Sequence, residues 1–114
     1  MGEESIYNSI VSLLGSDVDY TPYQGDFIVL INSALARLNQ LGAGPSEVFQ
    51  ITGPSETWNE FSSDKYVQAQ ARMFAYYTLK LSWDPPSAGF VLESFKELRK
   101  ETEWLLEAHC SSNN

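Results

Sequence analysis

The chain has 114 residues, 43% of them hydrophobic, which is enough for one domain, 1–114, with a substantial core. Fifteen acidic residues outweigh seven basic ones and leave a formal net charge of −8 at pH 7. Binding to nucleic acid depends on clustered Lys and Arg, and here only Arg99 and Lys100 are adjacent. The composition therefore argues against sequence-specific DNA binding.

The sequence carries no signal for an oxidising compartment or for a membrane. Its one cysteine, Cys110, excludes an intrachain disulfide. The longest apolar runs, such as 27–31, are too short to span a bilayer. The N-terminus has Glu3 and Glu4 where a secretory signal has Lys or Arg. We therefore expect the protein to work in the cytoplasm or in a particle assembled there.

Two helices are predicted in the first part of the chain. The first is short and ends near Gly15, because apolar residues recur there at helical spacing: Ile6, Ile10, Leu13 and Leu14. Residues 16–25 are expected to form a loop, Asp26 to cap the second helix and Gly42 to close it. The apolar stripe of this helix comprises Phe27, Ile28, Ile31, Ala34, Leu35, Leu38 and Leu41. Its opposite face carries Asn32, Arg37, Asn39 and Gln40.

No helix is predicted over residues 43–57. The tetrapeptide GPSE occurs at 44–47 and again at 53–56, and the β-prone residues between them, 48–52, favour two turns around a short strand. Segments of this length without regular structure are uncommon in compact domains unless they have a function. Thr57 and Glu60 stand at the spacing of a capping box, which predicts a helical turn through Phe61.

The second half of the chain predicts two long helices joined at a sharp corner. Apolar residues cover more than one side of 64–83, so this helix is expected to be central or shared with a neighbour. Asp84, Pro85 and Pro86 form the corner, because proline resists helix continuation, and Ser87 is a suitable cap for the last helix. The packing seam of that helix is predicted to be Val91, Phe95, Leu98, Thr102 and Leu105. Residues 111–114 are expected to be a disordered tail.

The predicted fold class is therefore all-α. We expect a small bundle of three long helices plus a short N-terminal helix, with a long loop between the second and third helices. Two tryptophans bear on how this bundle meets other proteins. Trp58, which follows the loop, either fills the core or anchors an interface. Trp104 lies off the predicted seam, which favours a position at the edge of an interface.

No cluster of residues favours catalysis, cofactor binding or a metal site. His109 and Cys110 are adjacent and lack a second pair to complete a tetrahedral zinc site, and a lone histidine excludes the usual catalytic triads. Asp17 and Asp19 have the spacing of the first two ligands of a calcium-binding loop. Pro22 occupies the position where that loop needs glycine, so the match fails. We expect the protein not to be an enzyme and to use no cofactor or metal.

The chain resembles the head–tail connector proteins of long-tailed bacteriophages, also called adaptor or head-completion proteins. The segments that carry the resemblance are DFIVLIN at 26–32, LNQLG at 38–42, ITG at 51–53, ETW at 56–58 and DPPS at 84–87. The resemblance extends over about residues 26–108. The specificity of the resemblance lies in the order and spacing of these segments.

This resemblance implies a non-enzymatic virion protein that assembles as a ring, usually of about twelve copies, beneath the portal. The ring would extend the DNA channel, and its partners would be the portal protein, neighbouring copies of itself and a downstream head-closure or tail-completion protein. Genomic DNA would pass through without sequence-specific binding, and no membrane would be involved. The protein would lie in the virion neck after assembly in the host cytoplasm. An alternative from another class is a small acidic helical regulator that binds a host or phage protein.

The resemblance and the predicted elements together suggest interface residues. The loop 43–57 is expected to be mobile in the free subunit and ordered in the ring, where 48–52 would pair with a neighbouring chain or line the channel. The last helix is expected to contact the portal or an adjacent subunit. The candidates for these contacts are Phe49, Ile51, Trp58, Tyr76, Tyr77, Arg99, Lys100 and Trp104. The residues expected to set the angle between the last two helices are Asp84, Pro85 and Pro86.

Overall fold

The computed structural model describes residues 4–15 and 22–112 of the chain. The helices in these ranges are α1 (Ile6–Leu14), α2 (Gln24–Gln40), α3 (Trp58–Phe61), α4 (Lys65–Trp83) and α5 (Gly89–Ser112). The same ranges contain no strand, only an isolated antiparallel bridge between Ser5 and Thr57. The predicted all-α class is confirmed. Residues 16–21 of the predicted first loop, with Asp17 and Asp19, and residues 113–114 of the predicted tail lie outside the described residues.

α1 ends where the sequence predicts but buries a different stripe. The Ser5 hydroxyl caps its start by accepting the N–H of Asn8 at 3.1 Å, and Gly15 ends it with a φ of 90°, a conformation that glycine adopts without strain. The buried side chains are Ile6, Tyr7, Ile10 and Val11. Leu13, which the sequence places in the apolar stripe, is 45% exposed. The stripe is therefore rotated about the helix axis, and Leu13 lies at the surface.

α2 begins ahead of its predicted cap and ends as predicted. Its first residue is Gln24, so Asp26 lies in the first turn, where a carboxylate stabilises the positive end of the helix dipole instead of capping it. At the other end Gly42 has a φ of 88°, and the N–H of Ala43 donates to the Leu38 carbonyl at 3.0 Å. This is the hydrogen-bond pattern of a helix terminated by glycine.

α4 is the central helix, as the breadth of its apolar surface predicts. It packs against α1, α2, α3 and α5. Its buried side chains are Val67, Ala71, Phe74, Ala75, Tyr77 and Leu79. Burial of one large apolar side chain contributes about 1.5–3 kcal/mol, whereas an exposed ion pair such as that of Arg37 with Glu103 contributes about 0–1 kcal/mol. The core around α4 therefore holds the bundle together.

α5 packs along a line that differs from the predicted seam. The helix begins at Gly89, two residues beyond Ser87, the predicted cap. Leu98 is 41% exposed, and the buried residues of the helix are Thr102, Leu106 and Cys110. Thr102 is therefore buried as predicted, but beyond it Leu106 takes the place in the core that was predicted for Leu105. The helix also includes Ser111 and Ser112, which the sequence places in a disordered tail.

Asp64 joins the start of α4 to the last turns of α5. Its carboxylate accepts the N–H groups of Tyr66 and Val67 at 2.9 and 3.3 Å, and its Oδ2 lies 2.8 Å from His109 Nε2. The hydrogen bond with His109, followed by those from the backbone, holds the pKa of the Asp64 carboxyl below its ordinary value, although burial acts in the opposite direction. Protonation of one carboxyl thus affects two helices.

Asp64→Asn keeps a capping side chain but removes the charge. A carboxylate with a lowered pKa stabilises the fold above its unfolded-state pKa, and this contribution is lost as pH falls through the folded-state pKa. We expect the variant to have a lower melting temperature than the wild type at neutral pH. This difference should shrink as pH falls below 3.8, the ordinary pKa of an aspartate carboxyl. Thermal unfolding followed by circular dichroism measures both. Glu47→Gln, at an exposed loop position, controls for the charge. A difference in melting temperature that stays constant with pH would contradict this role of Asp64.

Candidate interface surfaces

A row of exposed apolar side chains lies along α5. Phe90 is 78% exposed, Leu98 41% and Trp104 66%. About four helical turns separate Phe90 from Trp104, so the two side chains project from the same side. Large apolar side chains exposed together mark contact surfaces for other proteins. We define the outer face of α5 as Phe90, Ser94, Glu97, Leu98, Glu101 and Trp104.

Of the two predicted basic contacts, only Lys100 borders this outer face. It lines a shallow groove with Leu98, Glu101 and Trp104, and its Nζ lies 3.8 Å from the Glu97 carboxylate. Arg99 is half-buried and lines a different depression, between α2 and α5, where Arg37 Nε donates to Glu103 Oε2 at 2.6 Å. Consecutive residues of a helix point about 100° apart, which explains why these two basic side chains separate.

Three predicted interface residues are buried within the subunit. Ile51 and Trp58 are each 2% exposed, and Tyr77 is 9% exposed. Trp58 Nε1 donates to the Ser9 hydroxyl at 2.8 Å, and its ring packs edge-on against Phe61. Of the two roles left open for Trp58, this burial favours the one in the core. None of the three presents its side chain to a partner in this conformation.

The tyrosine pair at the middle of α4 packs against α5. The rings of Tyr76 and Tyr77 lie 6.1 and 5.7 Å from that of Phe95. Burial, and then the nearby Tyr76 and Glu101, raise the pKa of the Tyr77 hydroxyl. Tyr76 is half-buried, so part of its ring remains accessible between the two helices.

The proline corner is tied to the start of α2. The N–H of Asp84 donates to the Lys80 carbonyl, and Lys80 Nζ pairs with the Asp84 carboxylate at 3.1 Å. Next to them, the Trp83 ring lies 4.9 Å from that of Tyr23 and 5.0 Å from that of Phe27. Pro85 is exposed and Pro86 half-buried. The end of α4 is therefore fixed to α2, while the corner itself remains at the surface.

Two asparagines of α2 fasten the long loop, a role that the sequence pattern does not predict. Asn32 exchanges two hydrogen bonds with the backbone of Ile51: its Nδ2 donates to the carbonyl at 3.0 Å, and its Oδ1 accepts the N–H at 2.8 Å. Asn39 Nδ2 donates to the carbonyls of Pro45 and Ser46. An asparagine can do this because its amide carries both donors and an acceptor. The signal in the sequence was a pair of asparagines about two turns apart on one helix, just before the loop that they bind.

Further contacts close the second half of the loop. Glu56 accepts the N–H and the hydroxyl of Thr52 at 3.0 and 2.8 Å. Burial by itself would raise the pKa of the Glu56 carboxyl, but the hydrogen bonds from Thr52, from its own backbone and from Gly53 together hold that pKa below its ordinary value. Phe49 is half-buried, and its ring meets that of Phe61 edge-on at 5.8 Å. These anchors argue against the expected mobility of the loop in the free subunit.

Two other predictions for this loop differ from the structure. Residues 48–52 form no strand. Asn32 binds the backbone N–H and carbonyl of Ile51, and Glu56 accepts the N–H of Thr52. The apolar side chain exposed by the loop is Val48, at 48%, whereas Ile51 lies in the core. Pairing of this segment with a neighbouring chain would therefore first require release of the asparagine contacts.

The described part of the chain holds no group of three or more His, Cys, Asp or Glu side chains placed to bind a metal ion. Cys110 is buried, and burial together with the Asp64 carboxylate raises the pKa of its thiol. The thiolate is the reactive form of cysteine, so this environment lowers its reactivity. None of the helices within 4–15 and 22–112 is both long and apolar enough to cross a membrane.

Asn32→Ala removes both hydrogen bonds to Ile51 and leaves two backbone groups without these partners. We expect the free energy of unfolding to fall by about 1–3 kcal/mol, as measured by urea denaturation. Hydrogen exchange should show a protected Ile51 amide in the wild-type subunit and faster exchange in the variant.

The matched control is Asn39→Ala on the same helix, whose bonds to the loop are exposed. It should destabilise the subunit less than Asn32→Ala and leave exchange of the Ile51 amide unchanged. Fast exchange of this amide in the wild-type subunit would contradict the fastening role of Asn32 and would favour a mobile loop.

A comparison with known protein families assigns the chain to one of them. The model of the phage connector protein family matches residues 6–113, a range that includes the five helices of the described residues. No curated protein and no solved structure matches the chain. The match also covers α1, which lies outside the segments that carry the resemblance noted in the sequence. The chain belongs to the phage connector protein family.

Proposed function

We propose that this chain is a structural virion protein that forms a ring beneath the portal, extends the DNA channel and provides the platform for the next neck or tail protein. The observation that carries the proposal is the family match over residues 6–113. The exposed apolar row on α5 supports it, because a connector must present contact surfaces to several neighbours.

A ring places a specific demand on each subunit. In a closed ring one surface of each copy meets a different surface of the next, so two distinct contact surfaces are needed. Most of the broad apolar surface of α4 is buried by α1, α2, α3 and α5. The contact surfaces must therefore come mainly from the outer sides of the surrounding helices, together with the few residues of α4 that these helices leave accessible. The outer face of α5 is the main candidate.

The charge distribution suits a channel through which DNA slides. The chain has a net charge of −8, and its basic side chains are largely neutralised by nearby carboxylates. Those that form ion pairs with carboxylates are Arg37, Arg72, Lys80, Lys96 and Lys100. A surface without clustered unpaired cations releases few counterions from DNA and so binds it weakly.

The proposal is tested by locating the protein and measuring its assemblies. Native mass measurement of the purified chain, alone and mixed with its portal protein, should give a ring-sized complex with the portal. Labelled protein should appear in the neck of virions. A chain that forms no complex with the portal and is absent from virions would overturn the proposal and favour a regulator of another protein.

Trp104→Ala tests the part played by the outer face of α5. Trp104 is 66% exposed, so its removal should change the stability of the subunit by less than about 0.5 kcal/mol. Loss of a tryptophan central to an interface costs about 2 kcal/mol or more, so copies per virion neck should fall about tenfold or more at limiting protein. Quantitative mass spectrometry of purified virions measures this number.

The matched control is Val29→Ala, a 67% exposed apolar residue on α2. It should be incorporated at the wild-type level. A truncation of α5 would be a poor test, because Leu106 is fully buried in the core. Full occupancy of virion necks by Trp104→Ala protein would remove the outer face of α5 from the proposed contacts.

A further inference from the structure

A second surface with unusual features lies between α1 and α4. The groove is lined by Glu4, Asn8, Ser9, Ser12, Leu13, Arg72 and Met73. We call it the α1–α4 groove. Its floor is partly apolar, since Leu13 is 45% exposed and Met73 is half-buried. An exposed leucine beside a methionine offers a site for a large apolar side chain.

The groove also carries a cation that has further donors to offer. Arg72 Nη1 donates to Glu4 Oε1 at 3.0 Å, and the Arg72 side chain remains 36% exposed. A guanidinium has five N–H donors, so Arg72 can bind a second carboxylate. The depression continues along α4 to Lys65, whose ammonium donates to Asn59 and has no carboxylate of the described residues within ion-pair distance. Two cations thus face one carboxylate here, in a chain with a net charge of −8.

The outer face of α5 has the opposite character. Trp104 and Leu98 supply large exposed apolar side chains, and they stand beside Glu101, a carboxylate in no ion pair with the described residues. The two surfaces share no residue and belong to different helices. One copy can therefore use both at once, with two different neighbours, as a closed ring requires.

We propose that the outer face of α5 of one copy docks into the α1–α4 groove of the next copy. Trp104 covers Leu13 and Met73, and Glu101 pairs with Arg72. This inference rests on the proposed ring and assigns its subunit contact. A second copy is the occupant because the groove and the face complement each other in both apolar character and charge. The tryptophan supplies the main contact area, while the charges fix orientation and register.

Cysteine cross-linking tests the assignment directly. The cysteines are placed beside the contact residues, so that Trp104 and Leu13 are kept: Ser12 is exposed at the groove, and Lys100 is exposed beside Trp104. Chains carrying Ser12→Cys are mixed with chains carrying Lys100→Cys, assembled on purified portal protein and oxidised. Peptide mass spectrometry then identifies which residues are linked. We expect links between positions 12 and 100 of different copies. Links only between like positions would show a symmetric contact and overturn the inference. Assembled rings without any 12–100 link would also overturn it.

A charge exchange provides an independent measurement. Arg72→Glu and Glu101→Arg should each lower assembly on the portal about tenfold or more, and a chain with both substitutions should recover most of it. Circular dichroism of each variant verifies that the subunit is folded. Folded single variants whose losses simply add in the double variant would contradict the pairing.

These experiments separate the inference from the proposed function. If wild-type protein is found in virion necks and on the portal while the cross-links and the charge exchange fail, the connector role stands and the subunit contact lies elsewhere. If wild-type protein neither binds the portal nor enters virions, the proposed function fails and the inference fails with it.

Discussion

The packing of four helices around α4 is the constraint on which the rest of the structure depends. Ala71, Ala75 and Leu79 are fully buried, and the small alanine side chains let the neighbouring helices approach closely. Because α4 uses its apolar surface inside the subunit, little of it is left for a neighbouring copy. Contacts with other proteins must then involve mainly the outer sides of the surrounding helices, beside the few residues of α4 that remain accessible, such as Met73. On α5 that outer side has Phe90 and Trp104.

Features of the fold that depend on a few neighbouring residues could be predicted from the sequence. The ends of α1 and α2 at glycines and the capping box of α3 are of this kind, because each is decided within one helical turn. The packing line of α5 is different. Leu105 and Leu106 both fit an apolar line, and the choice of Leu106 for the core depends on how α5 lies against α4 and α2. Sequence periodicity does not contain that information.

The candidate contact surfaces were predictable to a smaller extent. Trp104 lies off the apolar line of its helix, and this local fact was enough to place it at the surface. Trp58 and Ile51 could not be placed in the same way, because their burial depends on segments distant in the chain. Asn32 bonds to a backbone 19 residues away, and Trp58 bonds to Ser9 across 49 residues. Polar side chains on a helix face predict solvent exposure only when no loop folds back over them.

The small area of the proposed subunit contact bears on when the ring would form. A large aromatic side chain buries about 150–250 Å², so the few exposed apolar residues of the α5 face fall short of a standard interface, about 1,200–2,000 Å². Each copy also carries a net charge of −8, and this adds repulsion between copies in solution. A portal that holds several copies side by side raises their effective concentration and offsets both effects. In the proposed ring, a weak contact between strongly acidic subunits would therefore favour closure on the portal over closure in solution.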